Sequence, residues 1–122
     1  MEKHYEIVKQ ATELSETIKE ALTHIEKQME ALKYTESLGL MQDVVIGLSS
    51  IKQSMLPVFE EIDGTVMEDQ IDHIHNQISK VVSSLEEEAE TIGHGILKSS
   101  VIPAFDSFQD ELRTLLQERF SN

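Results

Sequence analysis

Five histidines and 23 carboxylates are the side chains of this sequence that could hold a cation or move a proton. Three His–carboxylate pairs stand four residues apart: Glu20/His24, Asp69/His73 and Glu90/His94. On a helix that spacing puts both members on one face, so each pair offers two ligands to a cation. A di-metal carboxylate bundle asks for more, an inward Glu from two helices and Glu-x-x-His from each of the other two. Glu-x-x-His does not occur; Asp72-x-x-His75 comes nearest and occurs once. In His73-Ile74-His75 the two rings point roughly 200° apart on a helix, so one ion cannot take both. Each pair also sits among polar positions, with Ile or Leu on the inward side. They read as solvated surface pairs, and the sequence predicts no metal ligands and no cofactor.

Other chemistries fare no better. Glu13/Glu16, Glu60/Asp63 and Glu87/Glu90 have the local spacing of a Mg-dependent nucleotide pyrophosphohydrolase-like enzyme. Such spacing is common in so acidic a chain, and no cluster of Lys or Arg awaits the phosphates. Ser49-Ser50, Ser83-Ser84 and Ser99-Ser100 lie outside any Gly-x-Ser-x-Gly context. No phosphate loop or dinucleotide fingerprint is present. With no Cys, thiolate nucleophiles and disulfides are excluded. No catalytic residue is assigned.

The elements that would position these groups are amphipathic helices. Residues 2–34 carry Ile7, Ala11, Leu14, Ile18, Ala21, Ile25 and Leu32 at steps of three and four, with one polar break, and Val8, Leu22 and Met29 widen the stripe. Residues 40–62 carry Met41, Val44, Leu48, Ile51, Met55, Val58 and Ile62 in a strict heptad. Residues 66–91 follow with Met67, Ile71, Ile74, Ile78, Val81 and Leu85, then Ala89 and Ile92. Residues 96–120 place Leu97, Val101, Ala104, Phe108, Leu112 and Leu115 inward, flanked by Phe105 and Phe120. Breaks are expected at 34–39, at 63–65, where Gly64 suits a left-handed helix end, and at Gly93-His94-Gly95. At 122 residues the chain has the size of one domain. The pattern predicts an all-α fold, an antiparallel up-down-up-down four-helix bundle.

Two stretches of this pattern resemble each other. Residues 46–62 and 92–108 align without a gap, matching at Ile46/Ile92, Gly47/Gly93, Lys52/Lys98, Ser54/Ser100, Pro57/Pro103 and Phe59/Phe105. This predicts two repeated helical hairpins, with the second and fourth helices kinked at similar heights by Pro57 and Pro103. Phe59 and Phe105 would pack beside the kinks. A binding face is expected at Tyr34, Leu38, Phe59, Phe105 and Phe120, apolar side chains that widen the inward stripes.

The net charge of -13 is concentrated between residues 36 and 93, which hold 12 acids and two bases. Nucleic acid and anionic membranes are poor partners for such a surface. A secretory leader and a membrane span are not expected, since no apolar run approaches ~18 residues. The sequence reads as a cytoplasmic, non-enzymatic interaction or assembly module whose partner is a protein, a second copy making a homodimer. A carboxylate-rich metal-binding protein, or the pyrophosphohydrolase-like enzyme, is the alternative.

Overall fold

A computed structural model describes residues 2–119, with side chains from His4 to Arg119. The elements are α1 (Glu2–Glu30), α2 (Tyr34–Ile62), α3 (Thr65–Glu86), α4 (Glu90–Ile96), a π-helical segment (Leu97–Val101) and α5 (Ile102–Arg119). The last three run on as one rod, so the architecture is a bundle of four rods. In it α1 packs on α2 and α5, and α3 packs on α2, α4, the π segment and α5. No strand occurs among the described residues. Among them, too, no helix is long and apolar enough to cross a membrane.

Three turns join the rods, and all close in the same way. The N–H of Lys33 bonds to the carbonyl of Gln28, that of Gly64 to Phe59, and that of Ala89 to Ser84. Each spans five residues and satisfies a carbonyl that the helix end leaves open, the wrap of a Schellman closure. Each needs a left-handed residue just before the donor. Leu32 (φ 63°), Asp63 (φ 54°) and Glu88 (φ 60°) supply it, and no glycine of the chain has a positive φ. The next helix starts one residue after each donor.

These turns correct the sequence-based boundaries. The first break lies at residues 31–33 rather than 34–39, so Gly39 belongs to α2. The third lies at residues 87–89, and Gly93, His94 and Gly95 are helical. Turn chemistry was expected where glycines stand, but the closures use Leu, Asp and Glu. Gly64 is needed for space, not for its conformation. A Cβ there would stand 2.4 Å from Cδ1 of Phe59.

The core follows the stripes closely. All seven heptad positions of α2 except Ile62 are buried, as are Met67, Ile71, Ile74, Ile78, Val81 and Leu85 of α3. In α1 the buried face is rotated toward Val8, Ala11, Ile18, Leu22, Ile25 and Met29. Ile7, Leu14 and Ala21 are half-buried, and Leu32 is exposed in the turn. In the fourth rod, Phe105 is buried and Ala104 only partly so, the reverse of the expectation. The π segment is the reason. Its N–H to carbonyl bond from Ile102 to Leu97 spans five residues. The wider turn keeps Leu97, Val101 and Phe105, spaced by fours, on one face, where a pure α-helix would let them drift apart.

Both prolines lie within helical backbone, at exposed positions. Their settings differ: α2 stays α-helical through Pro57, whereas Pro103 directly follows the π segment. Their heights differ too, contrary to the expectation. Ile18 lies at Gly47 and His4 bonds to Glu61, which sets Pro57 level with Val8. Lys19 bonds to Asp106 and Ser15 to Gln109, which sets Pro103 level with about Ala21. At 1.5 Å per residue the prolines stand roughly 20 Å apart along the bundle. The aligned stretches therefore occupy different levels of the fold.

Candidate functional site

Among the described residues, the bundle centre holds no side chain that ionises near neutral pH. The buried polar residues among those described are Thr12, Ser15, Ser37, Ser84 and Gln109, and none of them ionises near neutral pH. Thr12 Oγ1 donates to the Val8 carbonyl (2.8 Å), Ser15 Oγ to the Thr12 carbonyl (2.6 Å), Gln109 Nε2 to Ser15 Oγ (3.2 Å) and Ser37 Oγ to the Lys33 carbonyl (3.0 Å). The first three bonds tie α5 to α1 without leaving a reactive group.

The expected binding face is largely absorbed by the core. Phe59 and Phe105 are buried, and Tyr34 and Leu38 are half-buried against the same cluster. Phe105 packs on Phe108 with ring centroids 6.1 Å apart. Phe120 lies outside the described residues. Among the described residues, four large apolar side chains are exposed instead: Leu32 (73%), Val66 (68%), Ile46 (65%) and Ile92 (62%). Ile46 stands with Val45 in a shallow trough edged by Ser49, Ser50, Gln53 and Ser54. Leu32 and Ile92 lie two residues beyond Glu30 and two before His94, at one end of the bundle.

That end also brings three ionisable groups together. Glu26 and Glu30 lie one turn apart near the end of α1, and His94 lies in the second turn of α4. One ligand-capable atom from each lies within 4.8 Å of the others. Glu26 Oε2 and His94 Nε2 are 3.5 Å apart, both fully buried, and neither has a hydrogen-bond partner. Gly93 positions the ring by allowing α4 to pack tightly on α3, where its added Cβ would stand 3.2 Å from Cβ of Ser84. A shallow cavity of about 230 Å³, lined by Thr23, Glu26, Lys27, Glu30 and Ile102, opens beside the group. Two carboxylates and an imidazole are a donor set for a divalent cation.

The structure does not assemble the other sequence candidates. Glu20 and His24 are both exposed, and so are Asp69 and His73. His94 is half-buried and faces Glu26. The three acid pairs are dispersed: Glu13/Glu16 lie mid-α1, Glu60/Asp63 at the α2–α3 turn and Glu87/Glu90 at the α3–α4 turn. Asp72 bonds to Lys52 (2.7 Å) across α2 and α3, and that bond raises the lysine pKa. His75 is half-buried, and desolvation lowers its pKa, with Lys52 pushing the same way and Asp72 opposing. Glu26 and Glu30 were missed by the sequence reading. Their i,i+4 spacing was visible, but their partner lies 64 residues downstream of Glu30.

Fold and site together define an all-α helical bundle with an apolar centre and its ionisable groups at the periphery. The chain belongs to the family described as Domain of unknown function (DUF8042), whose model matches residues 6–111. No curated protein and no solved structure matches it.

Proposed function

We propose that the chain is a non-enzymatic protein–protein interaction or assembly module working in the cytoplasm, with a second copy of itself as its first partner. The observation that carries this reading is the division of labour in the bundle. The centre holds no ionisable group among the described residues, while Leu32 and Ile92 stand exposed at one end. Burying two such side chains against a partner stabilises a contact by roughly 1.5–3 kcal/mol each. A centre without acid or base leaves little with which to catalyse a reaction. The alternative of a carboxylate-rich metal-binding protein draws on the meeting of Glu26, Glu30 and His94. The pyrophosphohydrolase-like reading has no comparable support.

Multi-angle light scattering across a range of protein concentrations tests the proposal. The wild type is expected to shift from monomer to dimer as concentration rises. Leu32→Ser combined with Ile92→Ser should hold the chain monomeric without changing its helicity by circular dichroism. A wild type that stays monomeric at every concentration would exclude self-association. A dimer untouched by the double substitution would place the contact elsewhere.

A further inference from the structure

We propose that Glu26, Glu30 and His94 bind one divalent transition-metal ion of the zinc class, clamping the end of α1 to α4. The site does not depend on the interaction reading above.

The first reason is the pair of orphaned atoms. A buried carboxylate oxygen and a buried imidazole nitrogen, each without a hydrogen bond, both forgo solvation. A plain His–Glu ion pair would relieve this by closing to about 2.7–2.9 Å. The same protein shows such a closure elsewhere, at 2.6 Å between His4 Nδ1 and Glu61 Oε2. His94 and Glu26 instead remain at 3.5 Å. Two ligands held about 2.0–2.2 Å from one zinc ion at the tetrahedral angle stand roughly 3.4 Å apart. The observed gap matches the edge of such a tetrahedron more closely than the length of a charge-assisted hydrogen bond.

The second reason is the donor set. Imidazole nitrogen with two carboxylates suits zinc and its neighbours. Magnesium keeps several waters in a near-ideal octahedron, and calcium takes six to eight oxygens, so neither is matched by this trio. Glu30 is exposed and free to draw in as the third ligand, and the adjoining cavity leaves a fourth position to water. With a neutral imidazole, the two carboxylates balance the charge of the ion. Lys27 lines the same cavity, and its long stem lets the ammonium remain in water. The ion would link residues 26 and 30 to residue 94, on helices that approach only in the folded state. Binding therefore favours folding by mass action.

The test uses the full chain, stripped with a chelator and titrated with Zn²⁺ or Mg²⁺. Calorimetry is expected to find one Zn²⁺ per chain. Thermal unfolding should shift upward by roughly 10 °C at a hundredfold excess over Kd, with no shift from Mg²⁺ at the same concentration. Imidazole ¹⁵N spectra of the wild type should show the ring of His94 moving on Zn²⁺ addition, while those of His24, His73 and His75 stay in place. His94→Gln and Glu26→Gln should each weaken binding at least tenfold, and His73→Gln should leave it unchanged. Absence of a stoichiometric ion, or a stationary His94 ring, would overturn the site. So would binding that survives His94→Gln. The wild-type spectra give this answer even if a substituted chain fails to fold.

Discussion

At the scale of single residues, backbone geometry and free space decide more than residue type. Leu32, Asp63 and Glu88 all occupy the left-handed region, where a side chain costs roughly 1–2 kcal/mol that glycine avoids. Glu88→Gly is therefore expected to gain stability, by about 0.5–1 kcal/mol once the extra freedom of the unfolded glycine is subtracted. Gly64→Ala should act in the opposite sense. The new methyl meets both the ring and the backbone of Phe59, which is buried and cannot yield freely. A loss of about 1–3 kcal/mol is expected. Urea unfolding of the two variants checks both signs, and a neutral Gly64→Ala would refute the packing argument. His75 makes stability depend on pH. Desolvation, with Lys52 acting in the same direction against Asp72, holds its folded pKa below the ordinary value of about 6.5. As pH falls below that value the unfolded chain takes up the proton first. The contribution of His75 is thus fully present above it and is lost as pH falls through the folded value. His75→Gln should flatten the acid limb of stability relative to the wild type. Identical limbs would show that the ring is as free in the folded protein as in the unfolded.

Among the elements, the contrast between α2 and the fourth rod is the most informative. Pro57 interrupts the ladder of an ordinary α-helix, whereas Pro103 sits just past a π turn that has already altered the ladder. A proline inside an α-helix costs about 3 kcal/mol, partly offset by its stiffening of the unfolded chain. Pro57→Ala is accordingly expected to stabilise by about 1–2 kcal/mol, and Pro103→Ala by less. Chemical denaturation of both variants measures the difference. An equal or larger gain at Pro103 would mean that the π segment does not relieve the proline. The π segment has a second role, since it holds Leu97, Val101 and Phe105 on the core face. A four-residue spacing sustained over two steps was the sequence sign of it.

For the whole molecule, charge sets the long-range energetics. A net -13 on 122 residues repels both within the fold and between copies. Among the described residues, the ion pairs that cross between helices, His4–Glu61, Lys19–Asp106, Lys52–Asp72 and the longer His94–Glu26, use only a minority of the 23 acids. Raising salt from about 0.05 to 0.5 M should therefore increase resistance to urea and favour the dimer in light scattering. If salt weakened self-association, attraction between charges rather than apolar contact would hold the copies together, contrary to the role assigned to Leu32 and Ile92.

The all-α class, the four rods and nearly every core residue of α2 and α3 were legible in the chain alone. The reason is that a one-sided apolar stripe at helical spacing must find a core, whatever lies opposite. Helix ends were less legible. The break at 63–65 stood where Gly64 marked it, but Leu32 and Glu88 carry no glycine sign, and five-residue backbone bonds rather than side chains define the closures. Of the apolar residues expected to form a binding face, Phe59 and Phe105 are core, and Tyr34 and Leu38 lie half-buried beside it. Stripe width shows that a side chain is apolar but not whether a neighbouring helix covers it. Which carboxylates His94 meets was settled by long-range packing and by nothing nearer in the chain. The pair at Glu90/His94 was visible as an i,i+4 spacing, but the ring turns to Glu26 and Glu30 on α1. Local spacing fixes which face of a helix a side chain occupies. The partner opposite that face is set by the register of antiparallel packing, which arises from the sum of core contacts along both helices.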